Sequence, residues 1–276
     1  MTYKQICETL RRVGVESPET DAALLLEHFC GVSPARLPLE RGRDYDSPDL
    51  ATAVEKRAAR YPLQYILGEW GFFEGVFSVA EGVLIPRQDT ELLVELGTAL
   101  LPLRGRFIDL GCGSGCISVS LLTCRQDAHG VAVDISPDAR RLTRENAVKN
   151  GADHRLEVME GDMLSEDFWN GLEEGGFDLL VSNPPYIPTR EVDALAPELK
   201  HEPRQALDGG ADGLDFYRVL VAQGGRLLKS GGVMLFECGV GQTGDIIRLA
   251  EAQGYAAEAR YDIEGRDRAV IVRIDC

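Results

Sequence analysis

The sequence predicts an α/β fold, in which a small helical domain precedes a seven-stranded, mostly parallel, Rossmann-like sheet that ends in an antiparallel hairpin. Three observations support this prediction. The first sixty or so residues show helical periodicity, and from residue 106 onward short apolar runs alternate with helical segments. Such alternation requires right-handed crossovers and a parallel sheet that is covered on both faces. The last two apolar runs are joined by a turn too short for a parallel crossover, so these two strands must be antiparallel.

The helical part begins with Tyr3, Ile6 and Leu10 at helical spacing. A second helix is predicted from the cap pair Ser17-Pro18 to Gly31, and a third from Ser47-Pro48 to Arg60. Because this unit is small, its independent stability does not follow from the sequence.

Aromatic and β-branched residues with glycines at the bend predict a short hairpin at residues 70–80. We therefore expect a helical domain at 1–68, a hairpin linker at 69–82 and a sheet domain at 83–276. A length of 276 residues with 44% hydrophobic residues is sufficient for this organisation.

Seven strands are predicted for the sheet domain, at residues 106–110, 130–134, 155–159, 177–183, 232–238, 256–263 and 268–274. A helix is expected near 241–253, and the turn of the closing hairpin lies around Gly265. An antiparallel end of this kind distinguishes a methyltransferase-type sheet from an ordinary dinucleotide-binding fold.

The charge balance limits the possible partners. The chain has 29 basic and 45 acidic residues, a net charge of −16, which is the opposite of the charge expected for gripping a nucleic-acid backbone. No run approaches the apolar length of a membrane span, and the first residues are charged throughout. We expect a cytoplasmic protein that binds no membrane or nucleic acid.

The cysteines and histidines do not form a metal-site pattern. There is no C-x-x-C pair and only four histidines, so we expect no metal and read the cysteines as reduced thiols. The seven cysteines are Cys7, Cys30, Cys112, Cys116, Cys124, Cys238 and Cys276.

A glycine-rich turn, DLGCGSGCISVSL, follows the first sheet strand and opens a helix at residues 109–121. Glycines at alternate positions allow a tight turn and the close approach of a ligand to the backbone. A dinucleotide site would require a third glycine or an alanine at position 116, where this chain has cysteine, and no phosphate-loop lysine follows. The predicted cofactor contacts are Gly111, Cys112, Gly113, Ser114 and Gly115, and a purely structural turn is the alternative.

An acidic residue lies at the end of the next strand, and another follows the strand after it. Asp134 is placed to accept hydrogen bonds from both ribose hydroxyls of a nucleoside-containing cofactor. It could instead cap the following helix, although Ser136 is the better cap. Asp162 could accept from an adenine amino group while Met163 packs on the ring, or Asp162 could be an ordinary turn residue. Together with the glycine turn, these residues describe a site for S-adenosylmethionine.

The segment Asn183-Pro184-Pro185-Tyr186 follows the fourth strand. An amide or exocyclic amino nitrogen is a poor nucleophile because its lone pair is delocalised. If the Asn183 side-chain oxygen and the Pro184 carbonyl accept its two N–H groups, the lone pair is directed at the sulfonium methyl group. Tyr186 can stack on the planar substrate group. We expect Asn183, Pro184 and Tyr186 to be catalytic and all four residues to bind the substrate.

The NPPY tetrapeptide resembles the signature of methyltransferases that act on nitrogen conjugated to a planar system. Three further stretches, at 62–79, 83–94 and 202–218, look like the release factor glutamine methyltransferases of the PrmC/HemK family. The resemblance covers essentially the whole chain. One departure is the pair Gln88-Asp89, where the family usually has proline and glutamate.

The resemblance implies a class I methyltransferase fold and N5-methylation of the glutamine in the Gly-Gly-Gln loop of class I peptide chain release factors. It further implies that residues 111–115, Asp134, Met163 and Asn183 contact the cofactor. It also implies that the helical domain at 1–68 binds the release factor. We expect the protein to be a monomer. The alternatives are a ribosomal-protein glutamine methyltransferase, a DNA adenine methyltransferase and a catalytically idle scaffold subunit. The acidic charge disfavours the DNA enzyme, and the intact Asn183 and glycine loop disfavour the scaffold.

Overall fold

The computed structural model describes residues 1–40 and 42–274. Cys276 and the predicted domain end at 276 lie outside the described residues. The chain forms two compact units. The helical unit comprises Met1–Glu69 and Ala196–His201, and the sheet unit comprises Trp70–Leu195 and Glu202–Cys276. A short segment from the middle of the chain therefore belongs to the helical unit.

Over its described residues, the helical unit contains four α-helices and two 3-10 helices, at Pro34–Leu39 and Pro197–His201. The α-helices are α1 (Tyr3–Arg12), α2 (Pro18–Cys30), α3 (Pro48–Ala58) and α4 (Leu63–Leu67). Ser47 caps α3 by accepting from the Leu50 N–H at 3.2 Å. The expectation that Ser17 caps α2 is wrong, because its backbone at φ −122° and ψ 63° gives no side-chain capping bond. Pro18 alone sets the start of that helix.

Arg57 on α3 is the centre of a buried ionic network in the helical unit. Its Nε donates to Asp21 at 2.6 Å, and its terminal nitrogen donates to Glu198 at 2.9 Å. Arg60 donates to the same carboxylate at 2.6 and 2.8 Å. Bidentate, charge-assisted bonds of this kind hold the 196–201 segment in the unit.

Over the part of the chain that the structure describes, the main sheet of the sheet unit has seven strands in the order β5-β4-β3-β6-β7-β9-β8. A separate hairpin, β1 (Glu69–Phe72) and β2 (Gly75–Ser78), precedes them. The sheet strands are β3 (Arg106–Leu110), β4 (His129–Asp134), β5 (Leu156–Glu160), β6 (Phe177–Ser182), β7 (Leu228–Glu237), β8 (Ala256–Tyr261) and β9 (Asp267–Arg273). β9 pairs antiparallel with both β7 and β8, so the predicted closing hairpin is confirmed, and β9 inserts between β8 and the rest of the sheet.

Successive residues along the central strands point into two apolar cores. Phe107 of β3 packs in one core, and Ile108 and Leu110 pack in the other. This alternation is expected for strands buried on both faces. The helices of this unit are α5 (Glu91–Leu100), α6 (Cys116–Cys124), α7 (Pro137–Lys149), α8 (Glu166–Asn170), α9 (Thr189–Val192), α10 (Asp215–Gly224) and α11 (Thr243–Ala252).

Among the described residues, no helix combines the length and apolar character that crossing a membrane requires. Over the same residues, no cluster of three histidine, cysteine or acidic side chains is arranged to hold a metal ion.

Candidate active site

A cavity of about 280 Å³ lies in the sheet unit, beyond the carboxyl ends of β3, β4, β5 and β6. Ligands bind at this end of open α/β sheets, where the strand order reverses. Each strand end contributes one segment to the lining: 111–114 after β3, 134–136 after β4, 161–164 after β5, and Asn183 with Pro185 after β6. The topology thus brings together segments that are far apart in the sequence.

The glycine turn has the backbone conformation that its sequence predicted. Gly111, Gly113 and Gly115 have φ values of 77°, 56° and 78°, which side-chain-bearing residues rarely adopt. A Cβ at Gly115 would lie 2.8 Å from Thr143 Cγ2, so α7 approaches the turn too closely for a side chain there. A Cβ at Gly113 would meet no atom within 4 Å, so this glycine is needed for its backbone conformation.

Asp134 connects the glycine turn with the start of α7. Its two carboxylate oxygens accept from the Gly113 N–H at 2.9 Å and from the Ser136 N–H at 2.8 Å. Ser136 caps α7 by accepting from the Ala139 N–H at 3.4 Å. Burial raises the pKa of Asp134, while the backbone donors act in the opposite direction. Each oxygen retains a lone pair for a ligand hydroxyl.

Asp162 and Met163 both line the cavity after β5. Asp162 also accepts from the Leu164 N–H at 2.9 Å, which is the geometry of a turn aspartate. Met163 is fixed through its carbonyl, to which Trp169 Nε1 donates at 2.8 Å. A Cβ at Gly111 would lie 3.0 Å from Met163 Cε, so the methionine side chain packs against the glycine turn.

The NPPY segment contributes Asn183 and Pro185 to the cavity. The Asn183 Nδ2 donates to Thr90 Oγ1 at 3.1 Å. The described residues that line the cavity do not include Gly115, Pro184 or Tyr186. The Tyr186 carbonyl accepts from Gln242 Nε2 at 2.9 Å, and burial raises the pKa of the Tyr186 hydroxyl far above its ordinary value.

The glycine-rich segment at residues 207–213 holds the NPPY backbone in place through hydrogen bonds and close packing. Ile187 donates to the Leu207 carbonyl at 3.0 Å and accepts from the Gly209 N–H at 2.8 Å. A Cβ at Gly209 would lie 2.7 Å from the Pro185 carbonyl oxygen, closer than real Cβ contacts occur. This packing gives a physical reason for the glycines of the DGGADG stretch, whose role the sequence alone did not indicate.

A loop at 83–87, part of the 83–94 stretch that resembles the family, forms another part of the cavity wall. It is held by Glu202, whose side chain is 2% exposed. The Glu202 carboxylate accepts from the Ile85 N–H at 3.0 Å and forms an ion pair with Arg87. One buried carboxylate therefore binds both the Arg87 guanidinium and the Ile85 N–H, and this anchors the loop.

Two buried carboxyl groups near the cavity were also not predicted. Burial raises the pKa of Asp109, at the end of β3, to about 7, and it raises the pKa of Glu237, at the end of β7, to about 7. One oxygen of each, Oδ1 and Oε2 respectively, has no hydrogen-bond partner among the described residues. An acidic residue ending an otherwise apolar strand is the sequence signal that singled out Asp134, and the same signal was available for Glu237.

The comparisons with known proteins agree with this geometry. The family model described as "Methyltransferase small domain" matches residues 74–214, and that described as "PrmC N-terminal domain" matches residues 2–68. A release factor glutamine methyltransferase from Rhodospirillum rubrum is 42% identical over 271 residues, covering 96% of this chain and 81% of that protein. One from Geobacter sulfurreducens is 38% identical over 290 residues, covering 99% and 100%.

Among solved structures, a methyltransferase from Pyrococcus furiosus aligns with a TM-score of 0.51 and 15% identity, over 69% of this chain and 84% of that one. This likeness concerns the fold alone. The predicted methyltransferase fold and the predicted family resemblance are confirmed.

Proposed function

The chain belongs to the family of release factor glutamine methyltransferases, and on this premise we propose that it methylates the glutamine side-chain amide nitrogen in the Gly-Gly-Gln loop of class I peptide chain release factors. Relatives that match this chain nearly end to end bear that name, which supports the substrate class. The net charge of −16 supports a protein partner over nucleic acid.

The observation that carries the proposal is the position of Asn183. Asn183 lines the same cavity as the glycine turn and Asp134, and its Nδ2 donates a hydrogen bond to Thr90. The Oδ1 of the amide is therefore the end available to accept a substrate N–H. A substrate amide held there lies beside a nucleoside-sized cavity.

The residues of the cavity fit S-adenosylmethionine. The left-handed backbone of Gly111 and Gly113 leaves the turn without side chains where the cofactor would pass. Asp134 would accept from the ribose hydroxyls, and the half-exposed Ile135 and Leu164 offer apolar surface to the adenine. Asp162 and Met163 would contact the same ring. When bound, the cofactor supplies an electrophilic methyl group on a positively charged sulfur.

The NPPY segment would orient the substrate. The Asn183 Oδ1 and the Pro184 carbonyl accept the two amide N–H groups, which directs the nitrogen lone pair toward the methyl group. The phenol of Tyr186 is neutral at physiological pH, burial raises its pKa further, and its ring can cover the planar amide. The methylated nitrogen becomes acidic as it forms and releases its proton to water.

We further propose that the helical domain at 1–68 docks the release factor, that the hairpin at 69–82 is a linker, and that residues 83–276 form the catalytic domain. The match of the "PrmC N-terminal domain" model to residues 2–68 supports the first boundary.

The experiment is transfer of a labelled methyl group from S-adenosylmethionine to a purified class I release factor. The matched control is the same factor with its Gly-Gly-Gln glutamine changed to alanine, and duplex DNA and a ribosomal protein extract are parallel acceptors. We expect label on the intact factor only. Label confined to the extract or to DNA would support methyl transfer but contradict the release factor as the substrate.

A further inference from the structure

Glu237 is a buried carboxyl group beside the strand that leads into Asn183. β6 and β7 run parallel with Ser182 opposite Phe236. Asn183 and Glu237 are the next residues along these two strands and are therefore neighbours. Glu237 is 1% exposed, and its Oε2 has no hydrogen-bond partner among the described residues. Burying a carboxyl group with incomplete hydrogen bonding costs stability, so a role in packing alone does not account for it.

The contacts of Glu237 determine which end of the Asn183 amide faces the cavity. Asn183 Nδ2 donates to Thr90 Oγ1 at 3.1 Å. Burial raises the pKa of the Glu237 carboxyl group, and the side chains of Thr90 and Asn183 lower it. An ionised carboxylate only accepts hydrogen bonds, so it binds the nitrogen end of the amide. The oxygen end is left for the cavity.

We propose that Glu237 is a positioning residue for methyl transfer, whose carboxylate holds the Asn183 amide with Oδ1 toward the substrate nitrogen. The inference rests on the proposed function and adds a residue to its machinery. Glu237 is not among the described residues that line the cavity, so it acts through Asn183. The adjacent Thr90 is 2% exposed and completes the arrangement.

The charge state of Glu237 makes the proposal testable by pH. Its pKa is raised to about 7, mainly by burial; Thr90 opposes this rise, Asp89 adds to it, and Arg268 and Asn183 oppose it. Arg268 pairs with Asp89 at 2.8 Å, so these two charges largely offset each other. Other titratable groups that interact with Glu237 have pKa values raised by burial and stay neutral; they are Cys116, Tyr186, Tyr217 and Cys238. Once protonated, Glu237 can donate to the Asn183 oxygen and favour the reversed amide.

The first variant is Glu237→Gln, which keeps the size of the side chain and adds an N–H donor. We expect kcat to fall about a hundredfold, which is the loss typical of a misplaced polar group in an active site. The KM for the release factor and the Kd for S-adenosylmethionine should change less than about threefold. Wild-type kcat should fall as pH drops through about 7, since protonation removes the acceptor. The Glu237→Gln profile should be flat over that range.

Two controls separate positioning from packing. Glu237→Asp keeps a carboxylate and should keep the pH dependence. Asp109→Asn removes the other buried carboxyl group with a pKa of about 7, and the fall in kcat below neutral pH should persist in that variant. If Glu237→Gln does not fold, Thr90→Val removes the other acceptor of the Asn183 amide and should lower kcat with cofactor affinity preserved.

A second measurement needs no substrate. The side-chain N–H protons of Asn183 should exchange slowly with water in the wild type and rapidly in Glu237→Gln, as measured by NMR. Equal exchange rates, wild-type kcat in Glu237→Gln, or an unchanged pH profile would overturn the proposal. Slow exchange combined with no transfer to any release factor would instead reject the proposed function and leave the positioning intact.

Discussion

The carboxylate of Asp134 accepts a hydrogen bond from the backbone N–H of Gly113 at 2.9 Å. These two residues belong to different strand ends, and each was predicted independently to contact the cofactor. The bond means that Asp134 holds the glycine turn in shape as well as facing the cavity. Loss of the carboxylate should therefore affect the cofactor site in two ways at once.

We expect Asp134→Ala to raise the Kd for S-adenosylmethionine by roughly ten- to a hundredfold, the value of lost hydrogen bonds to a charged group. Equilibrium titration with the cofactor measures this. Asp138→Ala, an exposed acid four residues away on α7, is the matched control and should bind normally. Unchanged affinity in Asp134→Ala would remove Asp134 from the cofactor site.

Asn183→Ala should have the opposite signature. We expect cofactor affinity within about threefold of the wild type and a loss of kcat of about a hundred- to a thousandfold, because the acceptor for the substrate amide is missing during transfer. Asn170→Ala, at an exposed amide on α8, is the control. Parallel loss of binding and transfer in both Asn183→Ala and Asp134→Ala would contradict the division of roles between them.

Gly209→Ala should disturb the NPPY backbone. The added Cβ would meet the Pro185 carbonyl oxygen at 2.7 Å and Tyr186 Cα at 2.8 Å, and backbone atoms cannot move aside cheaply. We expect a loss of about 1 to 3 kcal/mol in unfolding free energy together with reduced transfer. Gly244→Ala in the first turn of α11, where the nearest atom is 3.7 Å away, should be neutral or slightly stabilising.

Asp109 should make the cofactor-free protein less stable as pH rises. Burial raises its pKa to about 7 from an ordinary 3.8, so the folded state holds a proton that the unfolded state has released between these values. The contribution of protonated Asp109 to the free energy of unfolding is complete below about pH 4. As pH rises to 7, the free energy of unfolding falls by up to about 4 kcal/mol. In urea titrations, Asp109→Asn should show a smaller fall in unfolding free energy over this range. An identical slope in both proteins would mean that Asp109 is ionised.

Glu198 in the helical unit should have the reverse pH dependence. Burial opposes its ionisation, but hydrogen bonds from Arg60 and Arg57 outweigh it and lower the pKa to about 2. Its contribution is present above the ordinary value of 4.5 and is lost as pH falls toward 2. Glu198→Gln should cost about 2 kcal/mol at neutral pH, since two arginines lose their partner. Glu191→Gln, at an exposed acid, should cost little, and an equal cost in both would contradict the anchoring role.

The sequence determined the architecture and the segments of the site. Short apolar runs and the helical segments between them predict strands, crossovers and the closing hairpin, because these patterns are local. The glycine turn, Asp134 and NPPY were recognisable since each follows a predicted strand, and parallel strand ends converge at one edge of a sheet.

Only the tertiary structure decided what those segments contact. Thr90, Glu202, Gly209 and Glu237 come to the site from other parts of the chain, and their roles depend on distances across the fold that no local pattern encodes. The raised pKa of Glu237 is a consequence of burial by residues from several elements, and the orientation of Asn183 depends on that carboxylate. Packing sets the environment of each side chain, so the pKa values and hydrogen-bond partners in this site could be assigned only from the tertiary structure.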